Sequence, residues 1–337
     1  MRVGLIGFGA WGRHHADAIA ATPGLELAGI CAASEATCAA AAEAFPGIPV
    51  VADYQRLIAL PRLAAVDIVV PTSLHREMAR EALRAGRHVL LEKPMALTAE
   101  ECADLETVAA AAQRTLYVAH EFRLSTQWGR MGELIAAGFI GRPQFATIDL
   151  WRRPYRRGSG GWRWDARRVG SWVLEEPIHF FDLACWWLRE AGRPVSVYAR
   201  GARLPSSPEG LWDNLSAVVA FEGGAHASIN QSLAVAGHHL TAKVVGDGGA
   251  ILAFWDGEMD RTTRPRARLE VLSGERLRRI RIEPSGEFFE LRAEMARFAQ
   301  VLRGEAALPI TPAEAALAVR ISLAAEQSIR TGAPVAL

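Results

Sequence analysis

The chain has 337 residues, 50% of them hydrophobic and 22% charged, with a formal net charge of +1. That length can bury a substantial core and suits two domains, and the near-neutral balance gives no global attraction to nucleic acid or to an anionic membrane surface. Cys31, Cys38, Cys102 and Cys185 lie far apart without CxxC or other zinc-like spacing, and no 18-residue apolar run or basic-then-apolar leader is present. Reduced thiols in a cytoplasmic protein, with no metal site, are therefore expected.

The first part alternates strand-like and helix-like runs. Arg2 to Ile6 reads as a strand, and Gly7-Phe8-Gly9-Ala10-Trp11-Gly12 follows it directly and opens a helical stretch. In such a turn Gly7 supplies unusual backbone angles, Gly9 lets the main chain approach a pyrophosphate, and Gly12 lets helix pack on strand. The free N–H groups and positive dipole end of the helix then face phosphates, so residues 7–12 are candidate cofactor ligands. Further strands are expected at Leu25 to Cys31, Pro49 to Val51, Val66 to Val70, His88 to Leu91 and Thr115 to Val118, with Ala-rich helical segments between them. That alternation implies a parallel, doubly wound sheet covering residues 1–121. Ser73 reads as a helix cap, and Thr98 to Glu101 and Thr311 to Glu314 read as capping boxes.

From residue 122 to 337 the texture changes to that of a second α/β domain. A helix is expected over Ser125 to Ala137, a strand over Gln144 to Trp151, and a helix from Pro177 to about Glu190. Strands then follow at Val195 to Ala199, Leu215 to Phe221, Ala225 to Gln231, Leu240 to Val245 and Arg268 to Leu272, joined by glycine turns. They imply a large, mostly antiparallel sheet with a helix at its back. Helices at Glu290 to Arg303 and Pro312 to Arg330 close the chain, the last expected to pack back on the first domain.

Glu92-Lys93-Pro94 follows the fifth strand, and open α/β sheets bind ligands at the carboxyl ends of their strands. A lysine there can reach a nicotinamide pocket, where partial burial lowers its pKa and lets it hold or move a proton; taken alone, a surface lysine is the competing reading. Pro94 is expected to fix the loop by a cis bond.

The set Gly7-x-Gly9-x-x-Gly12, Val69-Val70-Pro71-Thr72-Ser73-Leu74-His75, Glu92-Lys93-Pro94, Arg123, and Glu175-Glu176-Pro177-Ile178-His179 with Asp182 resembles the glucose–fructose oxidoreductase / inositol dehydrogenase family, the Gfo/Idh/MocA group, through nearly the whole chain. The resemblance implies a Rossmann domain, a second α/β domain whose open sheet makes a homo-oligomer contact, and NAD(P)-linked hydride transfer at a secondary hydroxyl of a sugar, polyol or sugar acid. It implies catalytic and cofactor-contacting roles for Lys93, an acid/base role for His179, cofactor contacts by Pro71, Thr72, His75 and Glu92, and substrate contacts by Arg123, Glu176 and Asp182. For His75 the alternative is a plain helix-start residue. His179 falls in a first helical turn, where the dipole disfavours imidazolium; Asp182 on the same face either orients the ring or complements the dipole.

Two positions depart from the family pattern. Glu175 stands four residues before the histidine, where an aspartate is common, and keeps the charge one methylene further out, so it is a candidate catalytic carboxylate with Glu176 as its substitute. The second strand ends Cys31-Ala32-Ala33-Ser34, without the acid that takes the ribose hydroxyls in NAD-specific folds. Ala32 and Ser34 are thus expected at the ribose, and NADP is favoured over NAD, with Ser34 or Arg13 as candidate ligands of a 2′-phosphate.

Trp151 to Asp165 mixes cations, aromatics and glycines. It reads as a substrate-gating loop, with Arg156, Trp162 and Trp164 as substrate contacts and an anionic substrate suggested by the arginines; a solvated loop and a nucleic-acid site are the competing readings. His238 and His239 also lie within possible reach of the site. Three activities fit these residues: a hydride-transfer enzyme on a carbohydrate-like substrate, a dinucleotide-binding sensor without turnover, and NAD-assisted glycoside cleavage.

Overall fold

A computed structural model describes residues 1–259 and 261–337. The first sheet is built from β1 (Arg2–Ile6), β2 (Glu26–Cys31), β3 (Val50–Val51), β4 (Ala65–Ile68), β5 (His88–Glu92) and β6 (Leu116–Ala119). Between them run α1 (Ala10–Ala21), α2 (Glu35–Ala44), α3 (Tyr54–Ile58), α4 (His75–Arg84) and α5 (Ala99–Ala112). All six strands are parallel in the order β3-β2-β1-β4-β5-β6. The order reverses between β1 and β4, and the crevice at such a switch point is where this architecture takes a dinucleotide.

The second lobe follows a 3-10 turn at Glu121–Leu124. It contains α6 (Trp128–Ala136), β7 (Pro143–Arg152), a 3-10 segment (Ser159–Trp164), α7 (Ala166–Val169) and α8 (Pro177–Trp187). Then come β8 (Pro194–Ala202), β9 (Asn214–Phe221), β10 (His226–Ser232), β11 (His238–Gly246), β12 (Gly249–Gly257), β13 (Arg266–Ser273), β14 (Arg276–Ile280), α9 (Glu287–Leu302), α10 (Pro312–Thr331) and β15 (Val335–Ala336). The nine strands lie in the order β14-β13-β12-β11-β7-β10-β9-β8-β15, and β7–β10 is the parallel pair. One face of this sheet (Ile148, Leu150, Ala217, Ile229, Ala242) packs on α8 residues Phe180, Phe181 and Trp187. Strand periodicity leaves the opposite face, with Trp151, Tyr198, Val218, Val245 and Phe254, exposed.

The chain's end does not stay in the second lobe. Leu291, Met295 and Phe298 of α9 are buried with Leu5, Leu90 and Tyr117 under the first sheet. The first half of α10 (Ala315, Ala318, Val319) packs with Ile68, Val89 and Val118, while Ile321 and Ala325 in its second half join the other core. These two helices stitch the lobes together, which keeps the cleft between them in register.

Several expected boundaries shift for local reasons. The helix expected from Ser125 starts at Trp128, because Ser125 Oγ accepts from the backbone N–H groups of Gln127 and Trp128 at 3.1 and 3.0 Å. Ser73 does not cap α4; it sits inside a 3-10 turn, and no side chain caps the helix. Thr98 accepts from Glu101 N, but Glu101 reaches Leu97 N instead of closing the box. At Thr311 both arms are present. β12, β14 and β15 were not expected: β14 is an arginine-rich edge strand, RLRRI, without apolar alternation, and β15 is two residues long.

Candidate functional site

The glycine turn shows why each glycine stands where it does. Gly7 has φ +106°, and a Cβ there would meet Val69 O at 2.1 Å. A Cβ on Gly12 would lie 2.0 Å from Gly7 O, so helix and strand close only without one. Gly9 is different: a Cβ built on it meets nothing within 4 Å. Two glycines allow the chain to close, and the third leaves open space above the N-terminus of α1. A dinucleotide pyrophosphate needs such space beside free N–H groups, so the cradle fits that group.

A cavity of about 420 Å³ runs from this turn into the second lobe. At its nucleotide end it is lined by residues 7–12 and by Ser34, Pro71 and Thr72, as expected, together with Cys31, Ala33, Thr37 and Tyr54. Ala32 is buried behind that wall and does not line it. His75 is a correction as well: it is buried, and its Nδ1 and Nε2 sit 2.8 and 2.9 Å from the carbonyls of Pro94 and Val70. It braces the Lys93–Pro94 turn, whose peptide bond is cis, instead of facing a cofactor.

Behind the cradle lies a buried ionic group that sequence reasoning missed. His15 Nδ1 is 2.8 Å from Asp67 Oδ2, and its Nε2 is 3.1 Å from Glu92 Oε1. The same Glu92 oxygen accepts from Trp11 Nε1 at 2.8 Å. Burial alone would lower the His15 pKa, but the Asp67 and Glu92 carboxylates outweigh it and push it up to about 10. Glu92, lowered to about 2 against its own burial by His15, stays ionised. The group ties α1 to β4 and β5, and so fixes the glycine turn relative to Lys93. Because the His15 pKa is raised in the folded chain, its stabilisation is complete below about pH 6.5 and fades as pH rises through the folded pKa. Thermal midpoints should therefore fall more steeply between roughly pH 7 and 10 in the wild type than in His15→Gln; parallel pH dependences would remove His15 from this role.

Lys93 and His179 approach the same cavity from opposite lobes. Lys93 Nζ donates to the carbonyl of Glu175 at 2.5 Å. Pro177 occupies the first turn of α8, as expected, and places His179 third in the helix, 3% exposed and lining the cavity. The ring stacks on Phe122, with centroids 4.6 Å apart. Its pKa lies well below the usual histidine value, first because of burial and then because of the nearby Lys93 and His120 charges. The neutral imidazole expected from the helix dipole is present, with burial as its main cause.

The carboxylates around it are arranged differently from the expectation. Glu175 meets Lys93 through its backbone, while its Oε2 lies 2.9 Å from Arg163 Nε. Glu176 is buried between Arg152 and His238, with His238 Nε2 at 3.2 Å, and the Arg152 guanidinium, followed by the His238 ring, holds its carboxyl well below the usual range despite burial. Asp182 does not orient His179. It accepts from Arg123 Nη2 and Nε at 2.7 and 2.9 Å, and Arg123 also reaches Pro309 O and Glu314. The pair is a buried clamp joining the Glu121–Leu124 turn, α8 and the start of α10; neither residue lines the cavity, which corrects their expected substrate contact.

Of the Arg/Trp/Gly-rich segment, Trp162 lines the cavity, with Tyr155, Gly158, Ser159 and Arg163. Trp164 turns away: its Nε1 donates to Tyr155 O at 2.8 Å and its ring packs on Trp172. Arg156 is exposed, against Met259 Sδ, and does not line the cavity either. Much of the segment is exposed, while Trp162 and Trp164 pack against a small core of Tyr155, Val169, Trp172, Leu211 and Leu233, so features of both the gating reading and the solvated-loop reading are present.

Glu121 is another residue that sequence reasoning passed over. It lines the cavity, and its Oε1 lies 3.7 Å from His179 Nε2. Burial, then the neighbouring Glu294 and Glu92 charges, hold its carboxyl well above the usual range. Its position just past β6 was the available signal, because the carboxyl ends of parallel strands face the ligand crevice.

Comparison with known proteins agrees with this geometry. Residues 1–120 match the profile of the oxidoreductase family with an NAD-binding Rossmann fold, and residues 128–252 match the GFO/IDH/MocA C-terminal domain. The chain is 28% identical over 99% of its length to the uncharacterized oxidoreductase YrbE of Bacillus subtilis (strain 168), covering 96% of that protein. It is 26% identical to the 1,5-anhydro-D-fructose reductase of Ensifer adhaerens, over 98% of this chain and 97% of the relative. Its fold matches that of the aldose-aldose oxidoreductase from Caulobacter crescentus, crystallised with glycerol, with a TM-score of 0.86 at 20% identity, covering 100% and 99% of the two chains. With both domains matched, the chain is a member of the GFO/IDH/MocA family of NAD-binding oxidoreductases.

Proposed function

We propose that the protein is an NAD(P)-dependent dehydrogenase or reductase acting on a secondary hydroxyl carbon of a sugar, polyol or sugar-acid-like substrate. The observation that carries this reading is the convergence of Lys93, from the nucleotide lobe (1–121), and neutral His179, from the substrate lobe (122–337), on one cavity that begins at the glycine cradle. A bound nicotinamide supplies the hydride acceptor or donor. His179 takes or returns the hydroxyl proton, which a neutral imidazole can do, and the Lys93 ammonium stabilises the oxygen as its proton leaves. Glu176, fixed by Arg152 and His238, presents an ionised carboxylate to substrate hydroxyls, and Trp162 offers a face to the sugar ring. Glu175 acts by positioning Lys93 through its carbonyl.

The cavity-lining residues at the end of β2 (Cys31, Ala33, Ser34, Thr37 and Tyr54) include no carboxylate to repel a 2′-phosphate and no arginine or lysine to attract one, while Glu35 and Asp53 stand just outside that lining. NADP is favoured, by a small margin: no lining carboxylate opposes a 2′-phosphate, and the Ser34 and Thr37 hydroxyls, which bond each other in the α2 capping box, would turn from each other to meet it. The exposed sheet face carrying Trp151, Val218 and Phe254 is proposed as a homo-oligomer contact, since an apolar face of this extent is seldom left wet. The four free thiols suit the cytoplasm.

The test is a panel of sugars, inositols and their acids, read by reduced-nicotinamide absorbance with both nucleotides. Turnover of at least one compound is expected, with NADP(H) bound at least as tightly as NAD(H). Tight nucleotide binding with no turnover across the panel would replace the enzyme reading with that of a sensor. NAD tighter by about 1.4 kcal/mol, a factor of ten, would reverse the cofactor preference.

A further inference from the structure

The cradle supplies amides for a pyrophosphate but no cation of its own. The first turn of α1 runs Ala10, Trp11, Gly12 and Arg13, and Arg13 is exposed and does not line the cavity. A dinucleotide bound there brings at least two negative charges into a half-enclosed cleft, where helix-end dipoles compensate only part of the cost.

The positive charge at this place comes from the other lobe. Arg261, between β12 and β13, lines the cavity and lays its guanidinium 4.1 Å from the centroid of the Trp11 ring. Trp11 is the fifth residue of the glycine turn, so a group stacked on its indole hangs over the mouth of the cradle. The platform is rigid, because Trp11 Nε1 is anchored on Glu92, which is itself held by His15. On its other side Arg261 Nε donates to Glu287 Oε2 at 2.8 Å, at the start of α9, and Glu287 lines the same cavity. The next residue, Phe288, packs on His14 with centroids 4.8 Å apart and on Trp11 at 6.4 Å. Second-lobe groups are thus seated against the first two turns of α1, beside the open space that Gly9 leaves.

We propose that Arg261 is a ligand of the dinucleotide's pyrophosphate, supplied in cis by the second lobe. This rests on the reading of residues 7–12 as the dinucleotide cradle. A planar guanidinium suits the role for two reasons: it can keep its stacking on an indole while its N–H edge turns to a phosphate, and its bidentate fork matches paired phosphate oxygens. Glu287 acts as the resting counter-ion and yields the guanidinium to the more highly charged pyrophosphate. Arg261 thereby makes nucleotide affinity depend on the second lobe, and joins the lobes more firmly once the nucleotide is in place.

The test compares ligands with and without the diphosphate, using the intact chain and calorimetric or tryptophan-fluorescence titration. Arg261→Met is expected to weaken NADH and ADP by about ten- to a hundredfold, the size of a charge-assisted hydrogen bond, and to leave adenosine unchanged. Arg261→Lys should recover part of the ADP affinity, and Glu287→Gln should bind ADP at least as tightly as the wild type. Should Arg261→Met fail to fold, Arg261→Gln serves in its place. ADP affinity unchanged in the variant, or ADP and adenosine weakened alike, would overturn the assignment while the cradle stood. Wild-type protein that bound neither NADH nor ADP would instead bring down the cradle reading, and this proposal with it.

Discussion

Lys93→Met is expected to abolish turnover, by about a thousandfold, the upper range for removing one preorganised group that stabilises a developing negative oxygen. Methionine keeps the unbranched stem and removes the ammonium, so the loss reports charge and not packing. Lys93 is only half-buried and its ammonium rests on the carbonyl of Glu175, an acceptor that stays in place. Thermal stability should therefore change little. A second readout separates this role from a structural one. The Lys93 charge is one of the causes that keep His179 neutral, after burial, so its removal should raise the His179 pKa and move the acid limb of the pH–rate profile of any residual activity upward. Full turnover in this variant would remove Lys93 from the reaction.

Gly12→Ala and Gly9→Ala should fail in opposite ways. At Gly12 the new methyl would stand 2.0 Å from the carbonyl oxygen of Gly7, a backbone atom that cannot rotate aside. Relief requires α1 to lift off the sheet, and a loss of about 3–5 kcal/mol is expected, together with the buried Asp67–His15–Glu92 register. At Gly9 the methyl meets no protein atom and the backbone, at φ −80°, already suits alanine. Folding should be unaffected to within about 1 kcal/mol, while nucleotide affinity falls on the order of a hundredfold, because the methyl occupies the space the pyrophosphate needs. Chemical denaturation and NADH titration of the two variants measure both quantities. A Gly9→Ala protein that binds NADH like the wild type would place the pyrophosphate elsewhere.

Much of this organisation is written locally in the chain. The alternation of short apolar runs with Ala-rich helical stretches predicts the parallel sheet, since period-2 and period-3.6 patterns are properties of neighbouring residues. The glycine spacing after β1, the Glu-Lys-Pro turn after β5 and the proline that opens α8 are equally local, and each lines or borders the cavity. β14 escaped because its arginines lie in water and only Ile280 at its end packs on the core, so pairing along β13, not an apolar period, defines it.

Which side chains meet is another matter. Arg123 and Asp182, 59 residues apart, have the residue types of a substrate site, yet they spend their charges on each other. His75 has the chemistry of a cofactor ligand, yet both ring nitrogens face backbone carbonyls, those of Pro94 and Val70, instead of the cavity. In the opposite sense, His15, Glu121 and Arg261 carry no motif, and become prominent only because α1, β6 and the segment after β12 converge on one cleft. The alternating sheet, the glycine turn and the helix opening at Pro177 could be read locally, because backbone conformation and burial pattern are decided within a few residues; Lys93 and His179 stood out through the family resemblance, and both line the cavity. Which charges are already neutralised and which face the cavity is set by the fold, because that depends on distances between atoms far apart in the chain and on how completely water is excluded around them.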